Sequence, residues 1–277
     1  MFIVDAIVSS VCKLKMAVWF PFEKFSAESP MNGEVMSTRI GAWSLLGSPA
    51  VAAVMASAEP DWLVLDAQHG RFDDAAVVDT LSLLAGAPNR PRTVVRVAAG
   101  SPWLIGRALD AGADGVIVPM VQNAEQAALA ASACRYPPLG SRSWGPLDGA
   151  YGRTPASAAD ANERIECAVM VETAEAVAGV DEIAATPGVD MIFVGPFDLA
   201  LSLGTDVPSL LGDSSPENPL DRIVAACRAH GVAAGAFAGS NELAAQLAAR
   251  GFDTLAVAVD TMLLHDAVAQ QLQAAPR

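Results

Sequence analysis

From Ile40 onward, short runs rich in Val, Ile and Leu alternate with Ala-rich stretches whose apolar positions recur at helical spacing. A parallel strand covered on both faces reads as a continuous apolar run, and the helix that returns the chain reads with a period of about 3.6 residues. The alternation therefore predicts repeated βα units. The candidate strands are Ile40–Leu46, Trp62–Asp66, Thr93–Val97, Gly115–Val121, Cys167–Glu172, Met191–Gly195, Ala233–Ala238 and Thr254–Val259, each followed by a plausible helix. Eight such units predict an α/β chain folded as a (β/α)8 TIM barrel, a single domain with an atypical N-terminal leader. A doubly wound open sheet is the rival, but it does not need eight evenly spaced units, and no GxGxxG follows a strand.

Punctuation between the runs fits the same plan. Asp110-Ala-Gly112-Ala-Asp114-Gly115, Thr186-Pro187-Gly188-Val189-Asp190 and Arg250-Gly251-Phe252-Asp253 each place a glycine where a helix must stop before the next strand. Ser48-Pro49, Ser101-Pro102 and Asn241 read as helix starts. These are stability features and carry no chemistry.

Composition narrows the function classes. At 52% hydrophobic and 17% charged residues, the chain suits a large core of small side chains, and its net charge of -14 argues against a nucleic-acid surface. Cys12, Cys134, Cys167 and Cys227 are scattered without a CxxC pair, which predicts reduced thiols and a cytoplasmic protein rather than a disulfide framework or zinc site. No apolar run reaches the ~18 to 20 residues that span a bilayer. Residues 1–38 differ: an apolar run from Phe2 to Val11 precedes Lys13, Lys15 and the aromatics Trp19, Phe20, Phe22 and Phe25. They are read as an N-terminal extension, disordered or reflecting a mis-assigned start, with an interfacial helix as the alternative. Asp5 and the late lysines disfavour a secretory signal. The barrel domain is then 39–277.

In a barrel, chemistry comes from the carboxyl ends of the strands and the loops after them. The second strand ends in Asp66-Ala-Gln68-His69, a carboxylate, an amide and an imidazole suited to proton transfer. Arg96 stands near the end of the third strand, where a charge is costly unless it meets a bound anion, a developing enolate or a carboxylate such as Asp66. Glu172 and Asp198 end the fifth and sixth strands. They are either caps of the helices that follow or two ligands of one hard cation, and all-oxygen ligation favours Mg²⁺ or Mn²⁺ over Zn²⁺, with Co²⁺ a further candidate. The only lysines, Lys13, Lys15 and Lys24, lie in the leader, so the barrel itself has none to form an imine.

Taken together, Asp61-Trp62-Leu-Val-Leu-Asp66-Ala-Gln68-His69, Val94-Val95-Arg96, Val118-Pro119-Met120-Val121-Gln122-Asn123-Ala124, Arg135-Tyr136-Pro137-Pro138-Leu-Gly140, Val171-Glu172-Thr173 and Gly195-Pro196-Phe197-Asp198-Leu199 are specific. Over about Ile40 to Leu264 the chain resembles the HpcH/HpaI class II aldolases, typified by 4-hydroxy-2-oxoheptanedioate aldolase. The resemblance implies a divalent metal held by Glu172 and Asp198, a 2-oxo acid such as pyruvate chelated to it, Arg96 stabilising the enolate and His69 acting as base. It further implies that Asp110, in Leu109-Asp110-Ala-Gly112, raises the basicity of that histidine. Backbone groups at Phe197 and Asp198 would grip the substrate carboxylate, and the assembly would be a homo-oligomer, commonly a hexamer, with the last helix exchanged between neighbours.

Three positions depart from the family pattern. Met170 stands for a glutamine, Phe197 for a small residue and Gln68 for a glutamate, and an arginine expected near Gly149 is missing. The substrate pocket is therefore expected to be tighter and less polar. The expected activity is reversible cleavage of a 4-hydroxy-2-oxo acid to pyruvate, or a close 2-oxo acid, and an aldehyde, with no nucleic-acid or membrane partner. Oxaloacetate decarboxylation, acyl-CoA lysis and non-catalytic binding of a 2-oxo acid are the alternatives.

Overall fold

The computed structural model describes residues 38–276, so the readings of the leader, including Cys12 and the three lysines, fall outside the described residues. All eight predicted strands are present. In chain order they are β1 (Arg39–Ser44), β2 (Trp62–Asp66), β3 (Arg92–Arg96), β4 (Gly115–Val118), β5 (Glu166–Met170), β6 (Met191–Val194), β7 (Ala233–Phe237) and β8 (Thr254–Val259). They pair in parallel, each with the next, and β8 closes on β1 as a barrel. The helices are α1 (Pro49–Ala56), α2 (Asp74–Leu84), α3 (Pro102–Asp110), α4 (Ala124–Cys134), α5 (Ala158–Arg164), α6 (Ala174–Ala178), α7 (Val180–Ala184), α8 (Pro196–Ser202), α9 (Val207–Gly212), α10 (Pro219–His230), α11 (Asn241–Arg250) and α12 (Asp260–Ala274).

The alternation of side chains along each strand divides the core in two. Trp43, Trp62, Val64, Val94, Ile117, Ala168, Met170, Met191 and Phe193 pack together inside the barrel. Leu63, Leu65, Val95, Val116, Val169 and Ile192, one residue out of step, pack outward against the helices. The same parity carries Asp66, two residues beyond Val64, Arg96 beyond Val94 and Glu172 beyond Met170 toward the interior at the carboxyl ends. Trp62 fits only because Gly41 lies beside it: a Cβ on Gly41 would come within 2.2 Å of the indole.

At the opposite end, an aspartate stands immediately before every even-numbered strand and accepts a backbone N–H from the preceding odd-numbered one. Asp61 takes Ile40 N at 2.7 Å, Asp114 takes Thr93 N at 2.7 Å, Asp190 takes Cys167 N at 2.7 Å and Asp253 takes Ala234 N at 3.4 Å. These bonds satisfy amides that the ladder leaves unpaired at its edge. The helix-to-strand glycines Gly112, Gly188 and Gly251 adopt the expected left-handed backbone.

Several expected boundaries shift. β4 and β5 stop at Val118 and Met170, short of Val121 and Glu172. Pro119 cannot donate to the ladder and Met120 turns into the left-handed region at φ 59°, which ends β4. Ser48 caps α1 as expected, whereas Ser101 makes no side-chain cap. Ser240, not Asn241, caps α11, since Ser240 keeps the extended backbone a cap requires. Cys134, Cys167 and Cys227 are free and buried, and burial pushes the Cys227 thiol up to about 12. Among the described residues no helix is long and apolar enough to cross a membrane.

The seam between β8 and β1 is closed at the carboxyl end by Asp260, which is 4% exposed. It accepts the Ser44 hydroxyl at 2.8 Å and the amides of Leu45, Leu46 and Thr261 at 2.9, 3.0 and 2.7 Å. Replacing it by alanine strands these donors in a buried place. Asp260→Ala is expected to lower stability by about 2–4 kcal/mol, read as a lower urea midpoint at unchanged slope.

Candidate active site

The polar groups at the carboxyl end are organised around Asp66, the last residue of β2, which is fully buried. In the β2–β3 register Asp66 stands directly beside Arg96, and with both side chains turned inward the two meet. Arg96 Nε donates to Asp66 Oδ1 at 2.9 Å and a terminal guanidinium nitrogen donates to Oδ2. Trp43 Nε1 donates to Oδ2 at 3.0 Å, and the indole ring lies under the guanidinium at 4.9 Å. Oδ1 also accepts the amides of Gln68 at 2.9 Å and His69 at 3.2 Å. Burial alone would raise the Asp66 pKa, but the Arg96 hydrogen bonds and charge, with Trp43 and the His69 amide, hold the carboxyl below its usual range. Asp66 is thus committed on all sides to holding its neighbours.

His69 follows on the loop and is exposed, its backbone tied to Asp66. Gln68 is half-buried, and its side-chain oxygen is buried without a hydrogen-bond donor. Across the mouth, Glu172 is 2% exposed and accepts the Met120 amide at 2.8 Å. That bond is made possible by the left-handed turn at Met120, a conformation that costs a branched or long side chain about 1–2 kcal/mol. Glu172 therefore does not cap α6, a task taken by Thr173.

Asp198 lies in the first turn of α8, exposed, close to Glu172. Between them Gly195 keeps a space open: a Cβ there would lie 2.8 Å from Glu172 Oε2, 3.6 Å from Asp198 Oδ2 and 3.2 Å from the Met170 methyl. Burial raises the Glu172 pKa, opposed by the Met120 amide; the charge of Asp198 raises it further, and that of Arg96 lowers it. Two carboxylates converging on one small space are best served by a cation. Among the described residues no set of three His, Cys, Asp or Glu side chains converges, so a metal here needs oxygen donors from substrate or solvent to complete its shell. That donor chemistry fits a hard divalent ion and not a closed zinc site.

The structure thus gathers Asp66, Gln68, His69, Arg96, Glu172, Asp198, Phe197 and the buried Met170 at one end of the barrel. A family model described as HpcH/HpaI aldolase/citrate lyase matches residues 39–267. The chain belongs to this family. A hydroxypyruvate/pyruvate aldolase of Paraburkholderia phytofirmans is 39% identical over 261 residues, covering 88% of this chain and 96% of its own. A 2-keto-3-deoxy-L-rhamnonate aldolase of Escherichia coli K12 is 36% identical over 244 residues, covering 87% and 89%. Among solved structures, an HpcH/HpaI aldolase/citrate lyase family protein from Burkholderia cenocepacia J2315 superposes with a TM-score of 0.78 at 38% identity, covering 86% of this chain and 94% of that one. Relatives of this kind are aldolases, and the chain is an enzyme of that carbon–carbon lyase class.

Asp110, by contrast, is not brought to the other groups within one HpcH/HpaI barrel. It is the last residue of α3, and helices that follow strands end at the face opposite the strand carboxyl ends. There its Oδ1 accepts from Arg142 at 2.8 Å, while Arg142 lies over the Tyr136 ring at 4.5 Å. Sequence reasoning missed Trp43 and the Met120 amide. The inward parity of β1 was the available signal for Trp43; nothing in the sequence announces a left-handed methionine.

The Asp66–Arg96 pair gives a stability prediction. Because the folded Asp66 pKa is lowered, its contribution is complete above the unfolded carboxylate value of about 3.9 and is lost as the pH falls through the folded value. Asp66→Ala leaves a buried guanidinium unpaired and is expected to cost about 3–5 kcal/mol near neutral pH. The gap between wild type and variant in urea unfolding should narrow in acid, below the usual carboxylate range.

Proposed function

We propose that this protein catalyses the reversible aldol cleavage of a 4-hydroxy-2-oxo acid to pyruvate, or a close 2-oxo acid, and an aldehyde. The observation that carries it is the Gly195 space, flanked by Glu172 and Asp198, at the same barrel mouth as an arginine fixed by a buried carboxylate. Glu172 and Asp198 would hold Mg²⁺ or Mn²⁺, which when bound supplies a Lewis acid for the keto oxygen of the 2-oxo acid. The names of the aldolase relatives given above support the same substrate class.

The chain's own groups divide the remaining work. In the cleavage direction His69 accepts the proton of the 4-hydroxyl; the C3–C4 bond breaks, the aldehyde leaves, and its bonding electrons pass to the enolate of the 2-oxo acid. Arg96 faces the negative charge that develops, and because Asp66 and Trp43 already fix its position, little reorganisation accompanies the reaction. The N–H groups of Phe197 and Asp198, in the first turn of α8, lack intrahelical acceptors and suit the substrate carboxylate. Met170 and Gln68 shape the floor and side of the pocket. Asp66 acts as a positioning residue. Asp110 joins the site only if a second copy of the chain presents it, which ties its role to a homo-oligomer, a hexamer being the size the family resemblance implies.

The test is exchange of the methyl protons of pyruvate in D₂O, followed by NMR, which reports enolate formation without an aldehyde. With Mg²⁺ or Mn²⁺ exchange is expected, and EDTA or Glu172→Ala should abolish it. Release of pyruvate from a 4-hydroxy-2-oxo acid should fall by about 100- to 10,000-fold in His69→Ala. Exchange that survives both EDTA and Glu172→Ala would overturn the mechanism.

A further inference from the structure

The mouth of the barrel is chemically two-sided. From β2 round to β6 the strand ends carry Asp66, His69, Arg96, the Met120 amide, Glu172 and Asp198. From β6 through β7 and β8 to β1 they carry Phe197, Phe237, Val259 and Trp43. Trp43 meets Phe237 edge-on at 5.3 Å, and Phe237 meets Phe197 at 6.5 Å with the rings 64° apart. The aromatic series therefore begins under the Arg96 guanidinium and ends at Phe197, which is 58% exposed beside Asp198.

Apart from Arg71, exposed on the loop after β2 with its amide donating to the Leu45 carbonyl at 2.8 Å, this side presents no free charge among the described residues. Its one carboxylate, Asp260, is buried and occupied by the Ser44 hydroxyl and three amides. The Ser240 hydroxyl accepts the Leu243 amide. The loop after β1 continues with Leu45 and Leu46. A hydroxylated or carboxylated group laid against the Phe197 and Phe237 rings would lose water and gain no partner from them, whereas an aromatic ring would meet ring edges and faces.

We propose that the aldehyde partner docks on this aromatic side and is an uncharged aldehyde carrying an aromatic ring. This assignment rests on the aldolase activity proposed above and departs from the sugar-acid product in the name of the rhamnonate relative. In the synthetic direction C3 of the pyruvate enolate attacks the aldehyde carbon. The carbonyl π pair moves to the aldehyde oxygen, which takes the proton from His69, leaving a 4-hydroxy-2-oxo acid with the ring on C4. The ring then lies against Phe197 and Phe237 while the 2-oxo acid stays on the charged side.

The experiment measures kcat/KM of the full chain with Mn²⁺ and pyruvate for benzaldehyde, glycolaldehyde and glyoxylate, alongside the D₂O exchange of pyruvate alone. Benzaldehyde is expected to be the preferred acceptor, and Phe197→Ala should lower the benzaldehyde-to-glycolaldehyde ratio by about tenfold. Phe197 is exposed, so that variant keeps the core; Phe237→Leu, which retains an apolar side chain, should lower the same ratio. Preference for glycolaldehyde or glyoxylate, or a ratio that neither variant changes, overturns the aromatic assignment while exchange with pyruvate leaves the aldolase standing. Absence of exchange overturns both.

Discussion

A carboxylate buried without solvent must be surrounded by donors or be protonated, and Asp66 takes the first course. Its oxygens are divided among the Arg96 guanidinium, the Trp43 indole and the amides of Gln68 and His69. Three consecutive strands and the loop that carries the candidate base are therefore tied to a single side chain. The desolvation of such a pair is large, and the geometry offsets it only because each lone pair is used. One consequence is orientation: Arg96 cannot swing away, and the backbone of His69 is pinned a fixed distance from it.

The carboxylates across the mouth obey the opposite logic. Glu172 and Asp198 face each other over a space that a single methyl group at position 195 would occupy, and neither is neutralised as Asp66 is. Burial and mutual repulsion raise the pKa of Glu172, while the Met120 amide and the charge of Arg96 pull it down. A charge balance that the protein leaves incomplete fits the cation and the anionic 2-oxo acid of the proposed function. The backbone strain at Met120 belongs to this side, since the left-handed turn is what aims its amide at Glu172.

The sides of the mouth differ because a barrel distributes roles by strand number. Each strand offers one or two inward positions at its carboxyl end, and neighbours in sequence are neighbours in space. Strands β2 to β6 spend those positions on charged or donor groups. The remaining strands spend theirs on Phe237, Val259 and Trp43, with Asp260 consumed in closing the seam. Met170 and Phe197 extend the apolar character to the rim of the Glu172–Asp198 pair without touching the carboxylates themselves.

Much of this was legible in the sequence. Apolar runs bounded by glycine and aspartate determined the eight βα units, and the strand ends named Asp66, His69, Arg96, Glu172 and Asp198, because period-two alternation and position along a strand are local properties. Whether Arg96 answered to a bound anion or to Asp66 was not local: it depended on the register of β2 against β3, which places the two residues side by side. The same holds for Trp43 beneath the guanidinium, for the Gly195 gap, and for the Arg142 partner of Asp110, whose place at a helix end was legible but whose contact was not. The sequence by itself determined which residue types stand at the end of each strand. Only the tertiary structure decided which of them meet, since closure of the barrel brings together side chains separated by dozens of residues, at distances that no local pattern encodes.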